Sequence, residues 1–399
     1  FPLAENPENV AGVLLAVAFA LLRFGRYRFW SGPARPFLVY FGLTALLTLG
    51  RYAVDRQGAE LRSYAQFAQA FLLYLIYFDL CRDGRVARAV ASTFVVTTIL
   101  LSLVANLGLG GVVGATAAGR GGVAERVGVL GMNLNYQAFL YAAALVALLC
   151  RGIVRWPRFT GLDWALAVGG VSMLFALLQT GSRGGLLTLV AGVAAALVLL
   201  FRGRRMATYA LLVPVVLYGI GHAIISSEVI RVRVEATLAG ADYGARDVLA
   251  REAFQMLKER PLTGWGATYT DVLGARTGRL RIAAHNTYLQ VASAFGLVCF
   301  VPWMLGLVVT GLRLWRYRSS FWGATLLALF ATLLVGMIPG NYGYGRFAWI
   351  FLALAGAMPF AQPQAARRAR AAVALAAEGG PGRRLRGRPA PVRGGTGFS

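Results

Sequence analysis

The sequence contains few side chains that titrate near neutral pH or bind metals: two histidines, three cysteines and 16 acidic residues among 399. The cysteines lie within or beside apolar segments, at Cys81, Cys150 and Cys299, and this placement predicts neither a disulfide framework nor a thiolate metal site. The acidic residues are scattered and include no Asp-x-Asp pair. The sequence therefore predicts a protein that works without a metal or any other cofactor.

Charged residues are also scarce, at 14%, whereas 58% of the residues are hydrophobic and the mean hydropathy is +0.62. This composition excludes a soluble domain, because apolar runs near the roughly 20 residues needed to cross a bilayer recur along the chain. The spans must be helical, since lipid satisfies no backbone polar group. We predict an all-α, polytopic transmembrane helix bundle with spans at 3–22, 37–50, 64–80, 86–107, 134–150, 162–180, 186–201, 206–225, 287–312, 321–338 and 346–361.

The basic residues indicate how these spans are oriented. One set of short connectors, together with the C-terminal tail, holds 24 of the 40 basic residues but only four of the 16 acidic residues. Connectors of this kind stay in the cytoplasm, so the C-terminus is predicted to be cytoplasmic and residues 226–284 external. The charge is divided among short turns instead of one contiguous face, and we therefore predict no nucleic-acid partner.

Four regions follow from this topology. Residues 1–225 carry transmembrane helices 1 to 8, 226–284 form the large external loop, 285–361 carry three further spans, and 362–399 form a disordered basic tail. The arginines of the tail suit contact with anionic membrane lipid, and the alternative is that they only fix the topology. Because an odd number of spans with a cytoplasmic C-terminus places Phe1 outside, we expect one more helix before residue 1, or about 11 to 12 spans in all.

The large loop is predicted to contain a lid-like amphipathic helix over residues 245–259, which Pro261 ends. One face of this helix carries Leu249, Ala253, Met256 and Leu257. Arg246 lies at its start, where free backbone amides and the helix dipole already favour an anion. The alternative is a solvated arginine next to an ordinary surface pair of Asp247 and Arg251.

A second external arginine lies in the run Thr180-Gly181-Ser182-Arg183-Gly184-Gly185, which separates two apolar segments. Its glycines let backbone amides approach a ligand closely, and the Arg183 guanidinium offers a planar fork for a phosphate. The positive-inside rule does not explain an arginine on this side of the membrane. The alternative is a helix turn whose arginine extends to the lipid headgroups.

His285 ends the large loop, in the run Ala284-His285-Asn286-Thr287-Tyr288-Leu289, where a new membrane-length apolar segment begins. An imidazole at a membrane boundary is a candidate functional group. Arg276, Arg279 and Arg281 precede it and are predicted to lower its pKa, so that the ring stays neutral and can act as a base. The alternative is a hydrogen-bonded boundary histidine without a chemical role.

Five segments of the sequence, taken together and in this order, are similar to a known family. They are Gly131 to Ala138 at the start of a span, Thr180 to Gly185 at an external turn, Arg246 before a loop helix, Pro261 to Gly266, and His285 to Leu289. In this respect residues 130–300 resemble the O-antigen ligase and polymerase family. The rest of the chain matches that family only in being hydrophobic or basic.

The resemblance implies a GT-C-like glycosyltransferase of the bacterial inner membrane with its active site facing the periplasm. The donor would be an undecaprenyl diphosphate-linked glycan, and the acceptor would be lipid A-core for a ligase or a second carrier-linked glycan for a polymerase. Arg183 and Arg246 match the family's diphosphate-binding arginines, and His285 matches its catalytic histidine. Residues beside these positions are possible supporting residues: Ser182, Gly184, Asn286, Arg281 and Tyr288. One departure is that no acidic residue lies between Asp271 and Glu378.

Three functions remain open at this point. A single large external loop favours a ligase, because the other candidate loop, 108–131, is small. A polymerase would share the site and differ only in its acceptor. A lipid-linked glycan transporter would be expected to keep its ionisable groups near mid-membrane, whereas here they cluster at one face.

Overall fold

The computed structural model describes residues 32–55, 58–109, 129, 132–200, 218, 221–222, 225–226, 246–279, 282–343 and 345–357. Within these residues every regular element is a helix, and no strand is present. The predicted all-α class is thus confirmed. The predicted first span at 3–22, most of the span at 206–225 and the tail at 362–399 lie outside the described residues.

Besides the isolated helical residues 218, 221–222 and 225–226, the described residues form eleven α-helices and one short 3-10 turn. In chain order they are α1 (Ala34–Asp55), α2 (Gly58–Leu80), α3 (Gly84–Asn106), α4 (Leu134–Arg155), α5 (Gly161–Gln179), α6 (Arg183–Leu200), α7 (Arg246–Glu259), the 3-10 turn Gly266–Thr268, α8 (Tyr269–Arg276), α9 (Thr287–Arg316), α10 (Phe321–Gly336) and α11 (Arg346–Ala357).

Six of these helices, α1, α3, α4, α5, α6 and α9, are long and apolar enough to cross a membrane. They coincide with the predicted spans that begin at 37, 86, 134, 162, 186 and 287, so a polytopic membrane protein is confirmed. Helices α10 and α11 are apolar but shorter. The total of 11 to 12 spans stays a prediction.

Glycines let α4, α6 and α10 pack closely. A Cβ placed on Gly185 of α6 would lie 2.4 Å from the Cβ of Ala138 in α4. One placed on Gly192 would lie 2.3 Å from the hydroxyl oxygen of Thr332 in α10. Since lipid gives no hydrophobic force between helices, such small-residue contacts are a main source of helix association in membranes.

A buried aromatic cluster joins α1, α2, α9 and α11 on the other side of the bundle. Trp349 of α11 packs edge-on against Phe37, with ring centroids 5.6 Å apart, and against Phe71 at 5.5 Å. Phe295 of α9 lies 6.2 Å from Tyr40 and completes the contact with α1. This cluster fixes the position of α1 relative to the middle of α9.

The amphipathic helix predicted after residue 245 is present as α7, which ends at Glu259, two residues before Pro261. It buries Leu249, Ala253 and Met256, as its pattern indicated, whereas Leu257, expected on the same face, is only half-buried because it lies at the edge of that face. This face packs on α9, where the Ser293 hydroxyl donates a 2.7 Å hydrogen bond to the Ala253 carbonyl. The part of the large loop that forms α7 is therefore anchored to a membrane-length helix.

Candidate active site

Helix α6 begins with a tight turn that presents Arg183 as its first residue. Gly181 has a φ of +58°, which glycine adopts without strain. Ser182 is 3% exposed and caps the helix by accepting a 3.1 Å hydrogen bond from the Gly185 amide. Its hydroxyl also lies 2.8 Å from the side-chain oxygen of Asn135 in α4. The starts of α4 and α6 are thereby joined.

The connection between α10 and α11, residues 337–345, passes against the first turn of α6. A Cβ on Gly184 would approach the ring carbons of Pro339 to 3.0 Å. Tyr136 of α4 donates to the Asn341 carbonyl, and the Tyr342 hydroxyl donates to the Asn135 carbonyl at 3.4 Å. Gly184 therefore has a packing role, because it lets the 337–345 connection lie close to Arg183.

The start of α9 is fixed to the same connection. Asn286 caps α9 by accepting a 3.1 Å hydrogen bond from the Leu289 amide. Thr287 is fully buried, and its backbone amide donates to the Met337 carbonyl at 2.8 Å. Its hydroxyl donates to the Gly340 carbonyl and accepts from the Tyr342 amide, both at 2.9 Å. His285 precedes this junction by two residues.

Three helix N-termini, those of α4, α6 and α9, therefore meet around the 337–345 connection. The first turn of each helix carries backbone N–H groups without helical partners, and its dipole places partial positive charge there. A region that collects several such ends attracts anions, phosphates above all.

His285 has an unusual backbone, with a φ of +51°. Among the described residues it is the single non-glycine residue with positive φ. Side chains rarely adopt this conformation, which is energetically costly and is concentrated at functional sites. Burial lowers the pKa of the imidazole below its ordinary value, and the charges of Arg246 and Arg279 lower it further. The ring is thus held in the neutral form that a base requires.

Arg246, the first residue of α7, belongs to the same region. Its positive charge lowers the pKa of His285. Burial raises the pKa of Tyr342, and the charge of Arg246 opposes that rise. Tyr342 itself contacts the starts of α4 and α9 through hydrogen bonds to Asn135 and Thr287. Arg183 thus begins α6 next to the 337–345 connection, His285 lies two residues before the junction of α9 with that connection, and the charge of Arg246 acts on the His285 ring.

The other residues predicted to support or surround His285 have different surroundings in the structure. Arg281 lies outside the described residues. Tyr288 donates a 2.9 Å hydrogen bond to the Leu334 carbonyl and so ties α9 to α10. Arg276, expected near the imidazole, instead forms a two-bond ion pair with Glu259, at 2.7 and 2.6 Å. Of the expected arginines that the structure describes, Arg279 alone acts on His285, and burial is the larger cause.

The sequence interpretation gave no role to the 337–345 connection and no structural role to Asn135. A signal was present, because Pro339-Gly340-Asn341-Tyr342 places turn-forming and polar residues between two apolar runs. No charge marks that segment, however, and its importance depends on contacts with residues about 50 and 200 positions away in sequence. In the part of the chain that the structure describes, no three His, Cys, Asp or Glu side chains lie together as a metal site would require.

Residues 168–304 match a family model described as O-antigen ligase. The resemblance to the O-antigen ligase family is confirmed over this segment. The matched segment includes Arg183, Arg246 and His285.

A chain from a solved structure described as "Structural coordination of polymerization and crosslinking by a peptidoglycan synthase complex" aligns with 83% of this chain and 97% of its own length. The two are 16% identical, with a TM-score of 0.41. No curated protein matches the chain.

Proposed function

We propose that the protein is an O-antigen ligase of the bacterial inner membrane. It would transfer a polysaccharide from undecaprenyl diphosphate to a hydroxyl of lipid A-core at the periplasmic face, with its C-terminus in the cytoplasm. The observation that carries this proposal is the junction of the starts of α6 and α9 at the 337–345 connection, with Arg183 at the first start and His285 two residues before the second. Both residues lie in the segment that matches the O-antigen ligase family, and the charge of Arg246, which lowers the pKa of His285, supports a place for it in the same site.

The two arginines and the helix N-termini suit the donor's diphosphate. Guanidinium groups bind phosphate oxygens through paired hydrogen bonds, and they stay charged at every physiological pH. As the bond between the anomeric carbon and the diphosphate oxygen breaks, negative charge builds on the diphosphate. Arg183 and Arg246 would stabilise that charge in the transition state, so the proposed transfer needs no metal.

His285 suits the acceptor side of the reaction. The neutral imidazole would accept the proton of the lipid A-core hydroxyl as its oxygen attacks the anomeric carbon. One C–O bond forms while the bond to the diphosphate breaks on the opposite side, which inverts the configuration in a single displacement. Undecaprenyl diphosphate leaves as the anion, and the proton remains on His285 until solvent removes it.

A polymerase would use the same groups with a second carrier-linked glycan as acceptor. The identity of the product therefore distinguishes the two activities. A transporter is less well supported, because the histidine is held in a costly backbone conformation at a junction of helix starts instead of in the middle of a span.

The test supplies purified protein with a carrier-linked glycan and EDTA, and adds either lipid A-core or a second carrier-linked glycan. Glycan on lipid A-core supports the ligase, and an extended carrier-linked product supports the polymerase. Product only after a divalent ion is restored contradicts the metal-free mechanism. Donor binding without any product in either mixture favours the transporter.

A further inference from the structure

Helix α9 is broken at Gly296, which has a φ of +73° and a ψ of 177° within an otherwise helical segment. Such a break frees backbone groups that the helix would have used. Here a turn of the preceding loop, Arg260 to Gly266, takes their place, and we call it the docked turn. The amides of Leu297 and Val298 donate to the carbonyls of Pro261 and Leu262, at 2.8 and 3.3 Å.

The fit between the docked turn and the break is backbone against backbone. A Cβ on Gly296 would lie 2.1 Å from the Leu262 carbonyl oxygen. A Cβ on Gly264, whose φ is +66°, would lie 2.6 Å from the carbonyl carbon and oxygen of Ala294. Because backbone atoms on both sides cannot move aside cheaply, each position requires glycine.

Further bonds hold the docked turn from two sides. Arg51, near the C-terminal end of α1, donates to the carbonyls of Thr263 and Gly264, the second at 2.8 Å. The Trp265 amide donates to the Ser293 carbonyl at 2.9 Å. Its indole N–H donates to the Met256 carbonyl of α7, also at 2.9 Å. The turn thus joins α1, α7 and α9.

This joint lies at one end of α7, and Arg246 lies at the other end of its 14 residues. At 1.5 Å per residue the helix is about 20 Å long, so a tilt of about 10° at the joint would move Arg246 by about 3 to 4 Å. The contacts with α9 run in one direction along the chain, from Ala253 with Ser293 to Pro261 with Leu297, so the Arg246 end of α7 is directed toward the start of α9, next to His285. The displacement would therefore change the separation of the Arg246 guanidinium and the His285 ring.

We propose that the docked turn, seated in the break at Gly296, is a positioning element that sets the angle at which α7 packs on α9 and so holds Arg246 near His285. Gly264 and Arg51 are then positioning residues and do not themselves contact substrate. The consequence for turnover rests on the proposed function, but the placement of Arg246 does not.

The placement can be measured without substrate, since the chain has only two histidines. In a His222→Gln background, NMR of 13C-labelled His285 in nanodiscs reports the pKa of that one ring. Arg246→Gln should raise this pKa, because it removes a positive charge that acts on the imidazole. Gly264→Ala and Arg51→Met should also raise it, since Arg246 would move away. The charge of Arg51 is not among those that act on His285.

Gly108→Ala is the matched control, because Gly108 has a φ of +68° but nothing lies within 4 Å of an added Cβ. It should leave the titration of His285 unchanged. If Gly264→Ala does not yield folded protein, Arg51→Met decides the result. The proposal is overturned if Arg246→Gln raises the pKa while the turn variants leave it at the parent value, or if Arg246→Gln itself has no effect.

Turnover in the glycan transfer assay is a second measurement that tests the positioning proposal. Gly264→Ala should lower turnover by about 100-fold, which is the size of effect that a displacement of about 1 Å causes at a reacting centre. If the parent protein transfers no glycan, the proposed function fails while the histidine titration still decides the positioning proposal. The two failures are therefore distinguishable.

Discussion

At the residue scale, the protonation state of His285 determines when the proposed reaction runs. A base works only when it is unprotonated, so activity is present above the pKa of His285 and is lost as the pH falls through it. Burial, Arg246 and Arg279 all lower that pKa. Turnover should therefore persist below the ordinary histidine value of about 6.5.

Arg279→Gln removes one of these charges without removing either proposed diphosphate ligand. It should raise the pKa of His285, so the acidic limb of the pH profile of kcat moves to higher pH while the plateau is kept. Arg251→Gln is the control, because Arg251 is exposed and does not act on the imidazole. An acidic limb that does not move in Arg279→Gln would show that His285 is not the titrating base.

Alanine and lysine substitutions of the two proposed diphosphate-binding arginines, Arg183 and Arg246, should lower kcat by different amounts. Arg183→Ala or Arg246→Ala should each lower kcat by about 100- to 1,000-fold, or about 3 to 4 kcal/mol of transition-state stabilisation. Lysine at either position should restore part of the rate, since it keeps the charge but loses the planar fork. Steady-state kinetics of the six variants, including Arg251→Ala and Arg251→Lys as controls on α7, measure this. Full activity of Arg183→Ala would remove that residue from the site.

The sequence alone predicts Arg183, Arg246 and His285 as site residues because ionisable groups are conspicuous in an apolar chain. It could not find the partners that hold them. Thr287 and Asn135 look ordinary in the sequence, yet their hydrogen bonds bring the starts of α4 and α9 to the 337–345 connection. The expectation for Arg276 failed because Glu259, one helix earlier, offers that guanidinium a paired carboxylate.

At the element scale, helix packing through glycine makes a prediction about stability. Gly185→Ala should lower the free energy of unfolding by about 1 to 3 kcal/mol, because the new Cβ would be forced against Ala138 at 2.4 Å. Gly170→Ala in α5 is the matched control, since its Cβ would meet Leu148 at an ordinary 3.6 Å. That variant should gain about 0.5 to 1 kcal/mol from helix propensity.

Thermal unfolding of the two variants in detergent measures the difference. Equal melting temperatures would contradict the close approach of α4 and α6. The comparison is informative because both substitutions add the same methyl group within a membrane-length helix.

Hydropathy predicted the long spans well but not the break in α9. The predicted span at 287–312 is one apolar run, whereas the structure interrupts it at Gly296. A glycine inside an apolar helix is common in membranes, and its positive φ depends on the docked turn about 30 residues earlier in the chain. The amphipathic pattern of α7, in contrast, is local and was predicted with its buried face.

At the scale of the whole molecule, the charge distribution predicts which side of the membrane carries the site. Introduced single cysteines can test this orientation by labelling, because the native Cys81, Cys150 and Cys299 are free thiols but buried away from the reagent. Gln255→Cys on α7 should react with a membrane-impermeant maleimide added to spheroplasts, whereas Ser319→Cys between α9 and α10 should react only after lysis. Both positions are exposed. The reverse pattern would place the site in the cytoplasm and contradict transfer at the periplasmic face.

The account as a whole depends on one site in which His285 activates the acceptor and the two arginines hold the donor. The most direct measurement is the initial rate of glycan transfer by His285→Ala, alongside its affinity for undecaprenyl diphosphate-linked glycan. The rate should fall by about 100- to 10,000-fold, the usual contribution of a positioned base. Donor affinity should stay close to that of the unmodified protein, since Arg183 and Arg246 remain. Transfer by His285→Ala at the original rate would contradict the account.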